Sequence, residues 1–169
     1  YGTATDWKAM EQDGMPLGKW AKARVNQVIP EFVDERSAPM VITWRETLSY
    51  TTRLKVKSGD SVLIAGSGAN ALAFVCHCVY AGAKVVTIGN AVRGQDAVRL
   101  GAAAYIDYKS ENLISRLKEQ FTNGIDFIID AVGSAQNVNA ALPLLNHNGT
   151  VGVYGWNDRE GYGINPFCT

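Results

Sequence analysis

The sequence predicts an open, doubly wound α/β fold: five parallel strands in the order 3-2-1-4-5, with helices on both faces. Three observations carry this. Short apolar runs alternate with segments of helical period from residue 61 to residue 154. The runs are apolar at successive positions rather than at every second one, as expected for strands covered on both faces. The connections are short and mostly punctuated by glycine, and right-handed crossovers then give the doubly wound arrangement.

The elements follow in order. Residues 1–33 read poorly as an independent unit. Trp7, Met10, Trp20 and Val25 are scattered without sustained period, although Lys19–Val25 alternates polar and apolar residues like a strand, and Pro30 punctuates the chain. This stretch is expected to be a linker or the remnant of another domain, and residues 34–169 the main domain. A helical pattern runs from Asp34 to Arg53, with Val41, Ile42 and Leu48 near one face. Residues 55–60 form a polar connection into a strand at 61–65. A helix follows over Leu72–Ala81 and stops at Gly82. Val85–Ile88 is a strand, Arg93–Leu100 a helix stopped by Gly101, and Tyr105–Asp107 a short strand. Ser110 is placed as an N-cap, with Leu113, Ile114, Leu117 and Phe121 on one face. Asn123-Gly124 is a turn. Phe127–Val132 is a strand, apolar apart from Asp130. Ser134 is placed to cap a helix carrying Val138, Ala141, Leu142 and Leu145, ended by Asn148-Gly149. Thr150–Tyr154 is the fifth strand.

Composition narrows the function. The chain has 169 residues, and its 16 basic and 16 acidic side chains cancel. That argues against nucleic acid or an anionic membrane as the main partner. No apolar run approaches the roughly 20 residues that span a bilayer. No signal peptide is visible, and three cysteines suit a reducing, cytoplasmic setting better than a disulfide framework. The first residue is Tyr1 rather than Met, which suits a piece of something longer.

The stretch Val62-Leu63-Ile64-Ala65-Gly66-Ser67-Gly68-Ala69-Asn70-Ala71 joins the first strand to its helix. Its spacing, Gly66-x-Gly68-x-x-Ala71, is a variant of the dinucleotide-binding fingerprint. Gly66 allows a sharp turn, Gly68 lets backbone approach a pyrophosphate, and Ala71 permits close helix–strand contact. The helix start supplies free N–H groups and a favourable dipole for phosphate. Ligand is then expected at the switch point between strands 1 and 4. That crevice gathers Gly66, Ser67, Gly68, Ala69, Asn70, Gly89, Asn90, Ala131, Val132, Gly133, Tyr154 and Gly155.

From about Val28 to Gly155 the chain resembles the cofactor-binding domain of the medium-chain dehydrogenase/reductase family, which includes zinc-type alcohol and polyol dehydrogenases. The matching pieces are Val56–Ile64, Ala81–Val85, Leu100–Ala102, Tyr105–Tyr108, Gly124–Asp126, Asp130–Gly133 and Asn148–Val151, in joint order and spacing. The resemblance implies a Rossmann fold binding NAD or NADP for hydride transfer. It also implies a separate catalytic domain that carries any zinc and acts on a small alcohol, polyol or ketone, so the piece alone is expected to hold no zinc and to be inactive. A sixth strand through which family subunits pair is expected after residue 169. The parent is then a homo-oligomer and this piece a monomer, or differently associated. The resemblance further places Thr47 near a threonine that contacts the nicotinamide, the alternative being a helix-surface threonine. Ala131, Val132 and Gly133 match the loop passing the adenosine side, and Val153, Tyr154 and Gly155 the loop that meets the carboxamide.

Cofactor choice turns on the end of the second strand. NAD-preferring domains place Asp or Glu there, ~20 residues after the glycine turn, to hold the ribose 2′-hydroxyl. Here the position is Gly89, followed by Asn90, with Arg93 four residues on, and the nearest acid is Asp96. Arg93 and Asn90 can hold a 2′-phosphate, which favours NADP; the alternative is a plain strand end and a solvated arginine.

Three other features each admit two readings. Cys76-His77-Cys78 falls mid-helix on diverging faces, so helix packing is expected rather than metal. Tyr105 and Lys109 mimic a short-chain dehydrogenase pair but lie in a strand and a turn. Asp130 either touches cofactor hydroxyls or caps a loop. Two rival functions stay open: an S-adenosylmethionine-binding methyltransferase-like domain and a non-catalytic nucleotide-sensing module.

Overall fold

The computed structural model describes residues 12–14, 29–156 and 163–164; the strand expected at Lys19–Val25 lies outside them. The chain divides into two compact units, Tyr1–Pro39 and Met40–Thr169. In the first, Asp34 Oδ2 accepts from the Ser37 N–H and hydroxyl at 3.2 Å, closing a turn.

The second unit carries the predicted architecture. Its elements are α1 (Met40–Leu54), β1 (Ser61–Ala65), α2 (Ala69–Tyr80), β2 (Lys84–Gly89), a 3₁₀ turn Ala91–Arg93, α3 (Gly94–Arg99), β3 (Ala104–Asp107), α4 (Leu113–Gln120), β4 (Ile125–Asp130), α5 (Ala135–Ala141), a 3₁₀ turn Leu142–Leu144 and β5 (Leu145–Val153). The five strands are all parallel and lie in the order β3-β2-β1-β4-β5. Alternate strand residues feed two apolar layers. Leu63, Val86, Ile88, Ile106 and Ile128 pack with Leu117 of α4 and with Val138 and Ala141 of α5. Val62, Ile64, Val85 and Ile129 pack with Phe74, Val75 and Cys78 of α2 and with Tyr50 and Leu54 of α1.

Several boundaries differ from the sequence reading. The first helix starts at Met40, not Asp34, because Pro39 disfavours helical backbone at Ala38. The three apolar residues expected on its inner face lie outside: Val41, Ile42 and Leu48 are 49%, 67% and 50% exposed, while Thr47 and Thr51 are buried and Tyr50 and Leu54 meet the core. Ser110 does not cap α4; Asn112 holds the N-cap position, and no side chain closes it. Ser134 does hold the N-cap position of α5, but its hydroxyl makes no capping bond. That helix ends at Ala141, where Pro143 permits only a 3₁₀ turn, and Leu145 already belongs to β5. Asn148-Gly149 therefore lies within β5 rather than ending a helix. The β4–β5 register shifts there: Ile125 pairs with Leu145, but Phe127 pairs with Thr150. Asp126 steadies this irregularity, accepting from the Ser61 N–H at 2.8 Å and from Asn146 Nδ2 at 2.7 Å.

Among the described residues, Thr87 Oγ1 in β2 is a buried side-chain oxygen without a hydrogen-bond partner. A valine has the same shape and no polar group to strand. Thr87→Val is therefore expected to stabilise the fold by about 1 kcal/mol. In urea denaturation this reads as a higher midpoint with an unchanged slope.

Candidate functional site at the carboxyl ends of the strands

Strand order reverses between β1 and β4, so the loops after β1, β2, β4 and β5 frame one crevice. The glycine turn forms its centre. Gly66 has φ +142°, a backbone shape that L side chains rarely adopt. A Cβ there would stand 3.1 Å from Ala71 Cβ and 3.1 Å from Val132 Cγ2. The Gly66 N–H donates to the Ile88 carbonyl at 2.8 Å, tying the turn to β2. Gly68 differs: its backbone is extended, with φ −81° and ψ −178°, and a Cβ there would meet nothing within 4 Å. Gly68 is the N-cap of α2, no side chain closes that helix end, and first-turn amides have no intrahelical acceptor. Ser67 is half-buried, Gly68 and Ala69 are exposed, and Asn70 stands in the first turn.

The β4 and β5 ends are knitted together by Asp130. Its carboxylate is fully buried, and Oδ1 accepts from the Val132 and Gly133 amides at 3.0 Å each. Its carbonyl accepts from the Tyr154 and Gly155 amides at 2.9 and 2.8 Å. Of the two roles weighed for Asp130, the structure shows the loop cap. Gly155 packs so closely on the facing loop that a Cβ would overlap the Val132 and Gly133 backbone. Val153 ends β5 beside them, partly exposed. The Tyr154 ring lies edge-on to Phe74 at 5.0 Å and to Tyr50 at 5.4 Å, and its hydroxyl donates to Glu46 Oε2 at 3.2 Å. Burial, then the Glu46 charge and hydrogen bond, push the Tyr154 phenol above its ordinary range.

At the β2 end, Gly89 is buried and has no room for a side chain. A Cβ would stand 2.5 Å from the Tyr105 hydroxyl, 2.8 Å from Ser67 Cβ and 2.9 Å from the Gly66 carbonyl oxygen. Asn90 Oδ1 accepts from the Val92 N–H at 3.1 Å, opening the turn that carries Arg93. Arg93 and Ser67 line one cavity of about 220 Å³, with Trp44, Leu72 and Cys76 on its other walls. The Arg93 guanidinium pairs with Asp96 at 3.5 Å, an exposed i,i+3 contact that holds it only weakly.

The structure thus sets the glycine turn between Gly89 and Arg93, on the β2 side, and the Asp130 loop with Gly155, on the β4–β5 side. Thr47 lies within α1. It is fully buried, not on the helix surface, and its hydroxyl donates to the Thr43 carbonyl at 2.6 Å. Sequence reasoning passed over two crevice side chains. Glu46 is the acceptor for Tyr154, and Tyr105 closes over Gly89. The second follows from the β2–β3 register, in which Tyr105 pairs with Thr87, and no local sequence pattern signals it.

The cysteine–histidine cluster diverges. His77 Nε2 donates to the Trp44 carbonyl at 3.1 Å, and the imidazole stands edge-on to the Trp44 indole, 5.0 Å between ring centroids. Burial lowers the His77 pKa, and the Trp44 hydrogen bond opposes it. Burial pushes the Cys78 thiol up to about 12, with a Thr51 hydrogen bond pulling the other way. Among the described residues, no group of three or more His, Cys, Asp or Glu side chains is placed to hold a metal ion. Lys109 sits in a turn, its N–H bonded to Asp107 Oδ1 at 3.0 Å, and forms no pair with Tyr105 of β3. No described helix is long and apolar enough to cross a membrane.

The family profile described as zinc-binding dehydrogenase matches residues 46–167, well over half of the sequence. The chain belongs to the zinc-binding dehydrogenase family. The expected medium-chain dehydrogenase/reductase resemblance is thereby met, and the five-stranded unit is this family's cofactor-binding domain. The chain is 32% identical to an L-threonine 3-dehydrogenase of Shewanella putrefaciens over 100 residues, covering 57% of this chain and 29% of that protein. It is 26% identical to the L-galactonate-5-dehydrogenase of Escherichia coli over 146 residues, covering 84% and 42% respectively. Among solved structures, a putative zinc-binding dehydrogenase from Sinorhizobium meliloti 1021, bound to NADP, superposes with a TM-score of 0.71. Its identity is 25%, over 83% of this chain and 43% of that one. The chain therefore spans less than half the length of each of these relatives.

Proposed function

We propose that this chain binds a nicotinamide adenine dinucleotide across the crevice, prefers the 2′-phosphorylated form, and serves an oxidoreductase that acts on an alcohol, polyol or ketone. The observation that carries it is the Gly66–Ala69 turn, which opens into an uncapped helix start at the strand-order reversal. The amides of that first turn, and the open space over Gly68, receive the pyrophosphate. The lack of room at Gly89 excludes the carboxylate that would hold an unphosphorylated ribose, and Arg93 beside Ser67 supplies the positive charge. The NADP in the Sinorhizobium meliloti relative supports the same reading. Small residues at Ala131, Gly133 and Gly155 keep the Asp130 loop low along the ligand's path. The nicotinamide ring, when bound, supplies the hydride acceptor or donor; the protein's part here is to hold the dinucleotide and orient it. We assign the zinc and the substrate pocket to the catalytic domain of the whole protein, and its assembly to contacts of the homo-oligomer.

The test is titration calorimetry with NADPH, NADH and S-adenosylmethionine. NADPH is expected to bind more tightly than NADH, and S-adenosylmethionine to give no heat. Arg93→Ala should weaken NADPH about tenfold, the worth of a charge-assisted contact, and leave NADH nearly unchanged. Equal affinity for the two cofactors in the wild type overturns the preference. Heat from S-adenosylmethionine alone overturns the dinucleotide reading.

A further inference from the structure

A tyrosine hydroxyl stands at the β2 end, against Gly89. Tyr105 comes from β3, in register with Thr87, two residues before Gly89. Its hydroxyl reaches over the strand end and donates to the Asn90 carbonyl at 2.6 Å. The oxygen stands 2.5 Å from where a Gly89 Cβ would be, beside Ser67. The ring lies against the start of α3, since a Cβ on Gly94 would be 3.0 Å from Tyr105 Cδ1. Tyr105 therefore touches the glycine turn, the strand end and the Asn90–Arg93 turn at once. Burial raises its phenol above the ordinary range, so the hydroxyl remains a donor at neutral pH.

Resting on the dinucleotide reading above, we propose that Tyr105 is a selectivity-determining positioning residue. Its hydroxyl fills the place a carboxylate would take at Gly89, and it fixes the turn that presents Arg93 to a ribose 2′-phosphate. Two consequences separate this from a plain packing role. Removing the hydroxyl alone frees the Asn90 carbonyl and loosens Arg93, so discrimination between phosphorylated and unphosphorylated ribose falls while the fold stands. An acidic residue at Gly89 costs less once the tyrosine is gone, because the shortest of its three close contacts is then relieved, while Ser67 Cβ and the Gly66 carbonyl still crowd it.

The first arm of the test compares adenosine 2′,5′-bisphosphate with AMP, which differ only in the 2′-phosphate, on the wild-type chain and on Tyr105→Phe. The wild type is expected to favour the bisphosphate, and Tyr105→Phe to lose about fivefold of that ratio, the weight of one hydrogen bond, with a cooperative melt lowered by no more than a few degrees. A wild type that binds both probes equally overturns the 2′-phosphate reading itself. A wild type that discriminates, with Tyr105→Phe keeping the full ratio, overturns the role of Tyr105 alone. The second arm is a double-mutant cycle in melting temperature. Gly89→Asp should cost much more in the wild type than in a Tyr105→Val background. Equal losses in both backgrounds show that Ser67 and the Gly66 carbonyl, not Tyr105, close the site, and overturn the proposal.

Discussion

Gly68→Val is expected to abolish dinucleotide binding while leaving the fold in place. The backbone at Gly68 is extended, within reach of any residue, and a Cβ there meets no atom within 4 Å. The folded chain therefore accepts the valine at a cost of about 1 kcal/mol, that of a poor N-cap residue. The ligand does not, because the branched side chain stands over the amides that meet the pyrophosphate. Contact with several first-turn N–H groups is lost together, and a loss of at least a hundredfold in affinity, about 2.7 kcal/mol, follows. Calorimetry with NADPH reads the affinity and a thermal melt reads the fold. A folded variant that binds as the wild type does removes the turn from the phosphate site.

Gly155→Ala is expected to have the opposite signature: severe destabilisation through a single methyl group. The added Cβ overlaps the Val132 and Gly133 backbone rather than a movable side chain. That backbone is held in turn by Asp130, whose carboxylate and carbonyl bind amides on both loops. Relief requires parting the β4 and β5 ends and breaking those bonds. The cost is about 3 kcal/mol or more, at the upper end of overpacking, read as a lowered urea midpoint. A loss below about 1 kcal/mol would mean that the two loops separate easily. The two glycines thus serve different neighbours, Gly68 a ligand and Gly155 the protein's own backbone.

The fold was legible because its strands are. Runs such as Val62–Ala65 and Ile128–Ile129 are buried on both faces, and only a covered parallel sheet accommodates them. Glycine spacing located the turn for a similar reason, since Gly66 needs a backbone shape that few other residues tolerate. The first helix was misread because hydropathy counts threonine as polar. Thr47 and Thr51 donate their hydroxyls to carbonyls four residues back, at 2.6 and 2.9 Å, and so enter the interior without a stranded oxygen. Apolar Val41, Ile42 and Leu48 are left on the outside. Asn148-Gly149 misled because its dipeptide signals a turn, whereas the Asp126–Asn146 contact absorbs the surplus residues within β5. Tyr105 was legible only as half of a false pair with Lys109. Its position over Gly89 depends on β2–β3 register, which no local pattern specifies.

Trp44 gives the molecule an optical property of its own. Its indole faces His77 edge-on at 5.0 Å and borders the cavity shared by Ser67 and Arg93. A protonated imidazole quenches a neighbouring indole strongly, and a neutral one far less. Burial keeps His77 below the ordinary histidine pKa of 6.5, so the imidazole is neutral near pH 7 and is expected to add little quenching of Trp44 there. Acidification darkens it only once the pH falls beneath that value. With Trp7, Trp20 and Trp156 replaced by phenylalanine, the remaining fluorescence comes from one indole beside the glycine turn, an intrinsic lamp whose baseline is held steady by its histidine neighbour through the neutral range.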